Sequence, residues 1–411
     1  MACGIDYSAC MIRAYLSILR AYPAVIAFGF LATFFSNVGQ TYFIGLYSEF
    51  FQQSFGLSNT GFGSIYSAVT LASAGALLLL GHVIDKVRLR VYVAYACLAL
   101  ALGCMLMAHA AGLGLFVLGL WLVRFHGQGV MIHMSSTVTA REIDIGRGRG
   151  LSLTVLGQPL GEVVLPVLFA SVMVMMDWRT AWQIYGWVYV LAALPLMVWL
   201  APVASIELHD ELHASPKEQM KLRHVLRDSS LWLLMLANML MPFLITGIMF
   251  HQKWLMENLG FSAELYAYSL TAFGVGHAVA GLLAGGVVDR IGAVQVLRWF
   301  LVPFIGASLL LVTITEPYIL PVFMLATALT AGCTHSARGS YLAERYGTGQ
   351  LGAIKSFFAS SMVFSTALSP ALFGVIMDYT NNAKVIFHIC WICALLTLLL
   401  LRFLQSGKAM R

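Results

Sequence analysis

Arg124 and Glu162 stand where an apolar chain least accommodates charge. Each falls about 11 residues into a long hydrophobic run, and adjacent antiparallel helices would set them at similar depth. An ionisable side chain at the centre of a membrane-spanning helix costs at least ~2.5 to 3.5 kcal/mol, so it is functional or paired. Two readings stand side by side. In one, Arg124 attracts an anionic substrate or controls the proton affinity of Glu162, whose buried carboxyl takes up and releases a proton. In the other, the two form a permanent ion pair that joins their helices.

Spacing adds neighbours to each. At about 100° per residue, Arg124, Gln128, Met131 and Ser135 share one stripe of a helix, while His126 and His133 fall on the opposite stripe. The pattern predicts that Arg124 and Gln128 face a cavity and that the histidines make helix contacts. Gln158 shares a face with Glu162, and Pro159 and Pro166 loosen the helix beside them. Asn37, Gln40 and Thr41 sit mid-helix, where a solute pathway would supply the partners they need. Thr327, Thr330, Thr334 and Arg338 form another helical stripe, with Arg338 near the helix end, where it snorkels or closes a gate. His277 lies among Gly274, Gly276 and Gly281, small residues that permit close packing, and reads equally as a cavity or a packing histidine. Ser356, Ser360 and Ser361 are a weaker set.

Other chemistry is excluded. No Ser/His/Asp constellation and no glycine-rich phosphate loop occurs, so neither an enzyme nor an ATP-driven pump is expected and no cofactor is called for. His209 and His213 have i, i+4 spacing, but without the HExxH order they read as a solvated loop and no metal is expected. Cys390 and Cys393 form a CxxC inside an apolar span and read as lipid- or helix-facing small residues. The seven cysteines imply no disulfide framework.

The elements that must position these groups follow from composition. The chain of 411 residues is 60% hydrophobic and only 10% charged, which marks an integral membrane protein. A crossing helix needs about 20 mainly apolar residues. Twelve such spans are predicted, at about 22–49, 62–83, 91–110, 113–138, 151–176, 179–201, 231–254, 264–288, 294–314, 318–342, 352–377 and 383–404. The polar stretch 202–230, with Lys217, Lys221, Arg223 and Arg227, divides them into six-helix halves, 22–201 and 231–404. Residues 1–21 lack a signal-peptide pattern and read, with 405–411, as tails.

With both termini inside, most Lys and Arg residues fall on the cytoplasmic side and only Arg179, Lys253 and Lys384 on the other. The net charge of +6 therefore reports cytoplasmic loops and not nucleic acid. The lack of Asn-x-Ser/Thr sequons and the short loops favour a bacterial inner membrane. A monomer in the lipid bilayer is expected.

A charged turn interrupts the apolar pattern twice. Residues 81–90 read GHVIDKVRLR, and 285–290 read GGVVDR, so Gly81, Asp85 and Lys86 recur as Gly285, Asp289 and Arg290 at an offset of 204. Gly56-Leu57-Ser58 recurs as Gly260-Phe261-Ser262 at the same offset, and His133, Glu142 and Gly150 recur as His335, Glu344 and Gly352 at an offset of 202. Parallel repeats of this kind belong to transporters that bind at the midplane.

From the first span to the twelfth, this pattern resembles the major facilitator superfamily, whose loop signature is Gly-x-x-x-Asp-Arg/Lys-x-Gly-Arg/Lys-Arg/Lys. Gly81, Asp85, Lys86 and Arg90 match it, with Arg88 at the second Gly position. In the second copy Gly285, Asp289, Arg290 and Gly292 match, and Ala293 and Val294 replace the basic tail. The resemblance implies an all-α membrane fold with Asp85 and its basic neighbours as a gating latch. Arg124, Gln128 and Gly129 resemble a span-four motif tied to proton coupling, and Gly157 to Gly161 is similar to the Gly-Pro signature of antiporters, with Gln158 inserted.

The function expected is secondary transport of a small organic solute, an organic anion by virtue of Arg124, coupled to a proton or a counter-solute. An efflux carrier for a drug-like compound or siderophore is the alternative, favoured by a large aromatic, Met-lined cavity. A receptor or intramembrane enzyme is the remote one, distinguished by a closed midplane.

Overall fold

Within lipid, a segment must satisfy its own backbone polar groups, and a helix does so alone. The computed structural model describes residues 13, 15–143, 146–201, 227–346 and 351–405, and among these it contains helices and no strand. Twelve are long and apolar enough to cross a membrane: α1 (Pro23–Leu46), α2 (Asn59–Asp85), α3 (Leu89–Ala108), α4 (Leu113–Glu142), α5 (Gly148–Met175), α6 (Trp178–Leu200), α7 (Ser229–Phe250), α8 (Glu264–Ile291), α9 (Ala293–Thr313), α10 (Ile319–Tyr346), α11 (Phe357–Thr380) and α12 (Ala383–Leu401). The chain is a multi-pass membrane protein, and large apolar side chains such as Leu78, Val174 and Trp199 remain exposed on its helices, where lipid would cover them. Residues 202–226, with His209, His213, Lys217, Lys221 and Arg223, lie outside the described residues, as do most of the two tails.

The repeated Gly-x-Ser has a local cause. Gly56 and Gly260 end short helices with φ of +63° and +85°, the left-handed conformation that favours glycine. The following N–H turns back in each copy, Leu57 to the Gln52 carbonyl and Phe261 to that of Met256, both at 2.9 Å. The serine then begins the next helix, Ser58 Oγ accepting from Gly61 N–H and Ser262 Oγ from Leu265 N–H. Asp177, Asp228 and Asn382 cap α6, α7 and α12 in the same way.

The helices pack as two compact units. The first holds the described residues through Phe43, Ala72–Gly161, and Val172 to the end of α6. The second holds Ile44–Leu71, Glu162–Ser171 and the described residues from Arg227 onward. In the second unit α8 meets α10 through small residues: a Cβ added at Gly332 would lie 2.5 Å from the Ala280 side chain.

Several helices depart from regular winding, α1, α4 and α6 among them. α1 tightens over Ser36–Gly39 and becomes extended at Gln40, whose ψ is 151°. α4 widens to π-helical winding over Arg124–Met131, and α6 does so over Tyr189–Ala193. Equal 100° steps therefore do not carry through residues 124–131, which corrects the single stripe predicted for Arg124, Gln128 and Met131.

Candidate functional site

In the first unit, the break in α1 meets the widened part of α4. Leaving helical conformation frees backbone groups of α1 that need partners away from water. Arg124, 1% exposed, donates from Nη1 to the Gly39 carbonyl at 2.9 Å. The backbones touch here, because a Cβ added at Gly39 would lie 2.6 Å from the Val123 carbonyl oxygen and 2.8 Å from Gly127 Cα. Asn37, fully buried, donates to the Phe34 carbonyl at 2.8 Å and reaches that of Gly157 on α5 at 3.5 Å, while its Oδ1 accepts from Tyr42. Gln40 is buried and reaches Ser36 Oγ at 3.5 Å. Gln128 is half-buried on α4. Asn37 thus ties the broken part of α1 to α5, and Gln40 bonds within α1.

The histidines on α4 are helix contacts, as spacing predicts. His126 reaches Tyr95 on α3 at 3.0 Å, and His133 reaches the Gly81 carbonyl on α2 at 3.1 Å.

In the second unit, Glu162 and His277 meet. His277 Nδ1 lies 3.0 Å from Glu162 Oε2, with the carboxylate side chain 6% exposed and the imidazole 25% exposed. His277 is near the middle of α8, and Glu162 follows the Gln158-Pro159 step of α5, where the helix is interrupted at Leu156. Pro159 has no N–H to return to the Val155 carbonyl, which accounts for the loosening beside it. Gln158 is half-buried in the first unit.

Thr334 donates to the Thr330 carbonyl at 2.8 Å, and Thr327 and Thr330 make equivalent bonds one turn back. Their hydroxyl protons are committed to their own helix, so the threonine stripe offers acceptors only. Arg338 donates to Asn238 Oδ1, and Asn238 Nδ2 donates to the Phe358 carbonyl of α11 at 2.9 Å.

Asn238 was not singled out by spacing alone, yet the signal was present. Asn37 and Asn238, and likewise Gly157 and Phe358, are related by an offset of 201. Both asparagines span the same pair of repeat-related helices, α1 to α5 and α7 to α11. The pairing of His277 with Glu162 was also missed, because nothing in the spacing of one helix says which neighbour faces it.

The charged turn is held to α4 at both ends. Asp85 pairs with Arg141, and Gly81 accepts from His133. Lys86 and Arg90 are exposed. In the second copy Gly285, Asp289 and Arg290 are exposed, and the position equivalent to Arg141 at an offset of 202 is Ala343. Losing that arginine removes the ion pair from the second copy.

A polar cleft of about 330 Å³ at the other end of the second unit is lined by Glu49, Gln52, Asn59, His251 and Trp254 among others, and by none of the sequence-predicted site residues. Burial pushes the His251 imidazole down to about 4, so it is neutral near pH 7 and its Nε2–H donates to the Pro370 carbonyl at 2.8 Å.

Comparison with known proteins agrees with this architecture. The profile described as Major Facilitator Superfamily matches residues 29–251 and 234–410. Among solved structures, the nucleoside transporter NupG, in a mutant form, superposes with a TM-score of 0.73 at 12% identity, over 93% of this chain and 100% of its own. The human organic anion transporter MFSD10 superposes with a TM-score of 0.64 at 17% identity, over 92% of this chain and 99% of its own. No curated protein sequence matches.

Proposed function

The chain belongs to the Major Facilitator Superfamily, and from that premise we propose that it is a secondary active transporter of a small organic anion in which Glu162 and His277 carry the coupled proton. The observation that supports this most is the part-buried 3.0 Å contact between Glu162 Oε2 and His277 Nδ1 on two membrane-spanning helices. Without an added proton the pair holds one net negative charge, and with it none. Taking up that proton changes the charge held inside the membrane by one unit, so protonation favours one state of a transport cycle over another, which is what coupling requires. Import with a proton and exchange against a counter-solute both use that step.

The anion reading rests on Arg124, a buried positive charge that already directs one donor at a backbone carbonyl. Nucleoside and organic anion carriers share the fold at low identity, and they assign no solute to this chain. Gln128, Gln158, Asn37, Gln40 and Thr334 are proposed to shape the pathway. The halves 22–201 and 231–404 would alternate access, with Gly81, Asp85, Lys86, Arg90 and the second copy at Gly285, Asp289 and Arg290, near the end of α8, as gating elements. A monomer in a bacterial inner membrane, with both termini cytoplasmic, completes the proposal.

Reconstitution tests this directly. Uptake and efflux by proteoliposomes are measured for a panel of carboxylic acids, nucleosides and cationic dyes, with and without a pH gradient. The proposal expects gradient-dependent accumulation of an acid; accumulation of dyes alone would replace it with the efflux reading.

A further inference from the structure

A third Gly-x-x-x-Asp occurs in the chain, Gly374 to Asp378, and the repeat at offset 204 does not generate it. It lies at the end of α11, and its carboxylate grips the start of α2. Asp378 Oδ2 accepts the Thr60 N–H at 2.9 Å, and Oδ1 accepts Asn59 Nδ2 at 2.9 Å. One turn back, a Cβ added at Gly374 would lie 2.6 Å from the Asn59 carbonyl oxygen and 2.8 Å from Thr60 Cα. The glycine lets the backbones touch, and the aspartate satisfies a donor that every helix start leaves open.

This end of α2 is opposite to Asp85, since α2 runs from Asn59 to Asp85. The contact there joins the first six spans of the sequence to the last six. Lys253 pairing with Glu49 also joins the two sets of spans, as does Tyr66, whose ring centroid is 4.4 Å from that of Phe250. Solute passing through this end requires these contacts to part.

We infer that Gly374 and Asp378 form a latch that holds the start of α2 against α11 and keeps this end of the pathway shut. It is a distinct copy of the Gly-x-x-x-Asp device, placed at the end of the membrane opposite Asp85. When the latch opens, water replaces the carboxylate at both donors, so each bond biases the equilibrium without locking it. The inference does not depend on which solute is carried or on the role of Glu162.

The test uses the full-length protein carrying Ser67→Cys, a site on α2 that is only 7% exposed beside Tyr66. Its alkylation rate by a bulky polar maleimide is compared with that of the protein lacking the added thiol, which corrects for native cysteines. Adding Asp378→Asn is expected to raise the Ser67→Cys rate about tenfold, the factor that 1.4 kcal/mol produces. Gly374→Ala should raise it by wedging the helices apart, and Asn59→Ala should raise it less, because the Thr60 N–H bond remains. If Asp378→Asn does not yield monodisperse protein, the Gly374→Ala and Asn59→Ala variants decide the matter. Rates equal to the parent in the variants that fold would overturn the latch.

Discussion

Glu162 and Arg124 show what a single residue discloses. Each is an ionisable group at membrane depth, and that cost alone singled them out. His277 could not be assigned in the same way, because an imidazole among glycines suits packing and proton transfer equally until its partner is seen 3.0 Å away. Asn238 is a buried amide of the same kind as Asn37, and its relation to Asn37 at an offset of 201 reveals it. At this scale, Arg124→Ala is expected to weaken binding of the transported anion by about 2 to 3 kcal/mol, the worth of a hydrogen bond to a charged group. Equilibrium binding of labelled solute to purified protein measures this, and an unchanged affinity would remove the anion argument.

At the scale of elements, the twelve spans were legible from composition, while the irregular winding of α1 and α4 was not. Periodicity presumes a fixed angle per residue, and Arg124–Met131 breaks that presumption where the helix meets the extended Gln40 region. The glycines at the contact follow the same logic. A Cβ at Gly161 would lie 2.0 Å from Asn37 Nδ2, so Gly161→Ala should displace the Asn37 clamp and lower stability by about 1 to 3 kcal/mol. A fall in melting temperature in detergent would register it.

His251, between α7 and α8, sets a pH dependence. Its pKa falls from 6.5 to about 4 on folding, so between these values the unfolded chain binds the extra proton and the native state loses stability as pH drops. The contribution is intact above 6.5 and declines by about 1.4 kcal/mol per pH unit down to about 4. His251→Gln, which keeps a donor for Pro370 but does not titrate, should melt with a shallower slope over that range.

For the whole molecule, duplication was the most legible feature, because Gly-x-Ser and Gly-x-x-x-Asp recur at fixed offsets and the Gly-x-Ser turns recur in three dimensions, although Gly81–Asp85 winds as a 3-10 turn where residues 285–289 continue α8. What the repeat could not foretell is where the copies diverge. Ala343 in place of a second Arg141 denies Asp289 the ion pair that Asp85 makes, so the two charged copies are not equivalent. Asp85→Asn, which weakens the Arg141 pair, should alter transport rate in proteoliposomes while leaving solute preference unchanged; Asp289→Asn should have the smaller effect on rate.

Proton coupling through Glu162 is the central claim, and solute counterflow beside pH-driven uptake tests it most directly. Glu162→Gln keeps a side chain that can accept from His277 but carries no titrating proton. The account predicts that this variant still exchanges labelled for unlabelled solute across the liposome membrane yet no longer accumulates solute in response to a pH gradient. Accumulation equal to that of the unmodified protein at every pH between about 5 and 8 would contradict it.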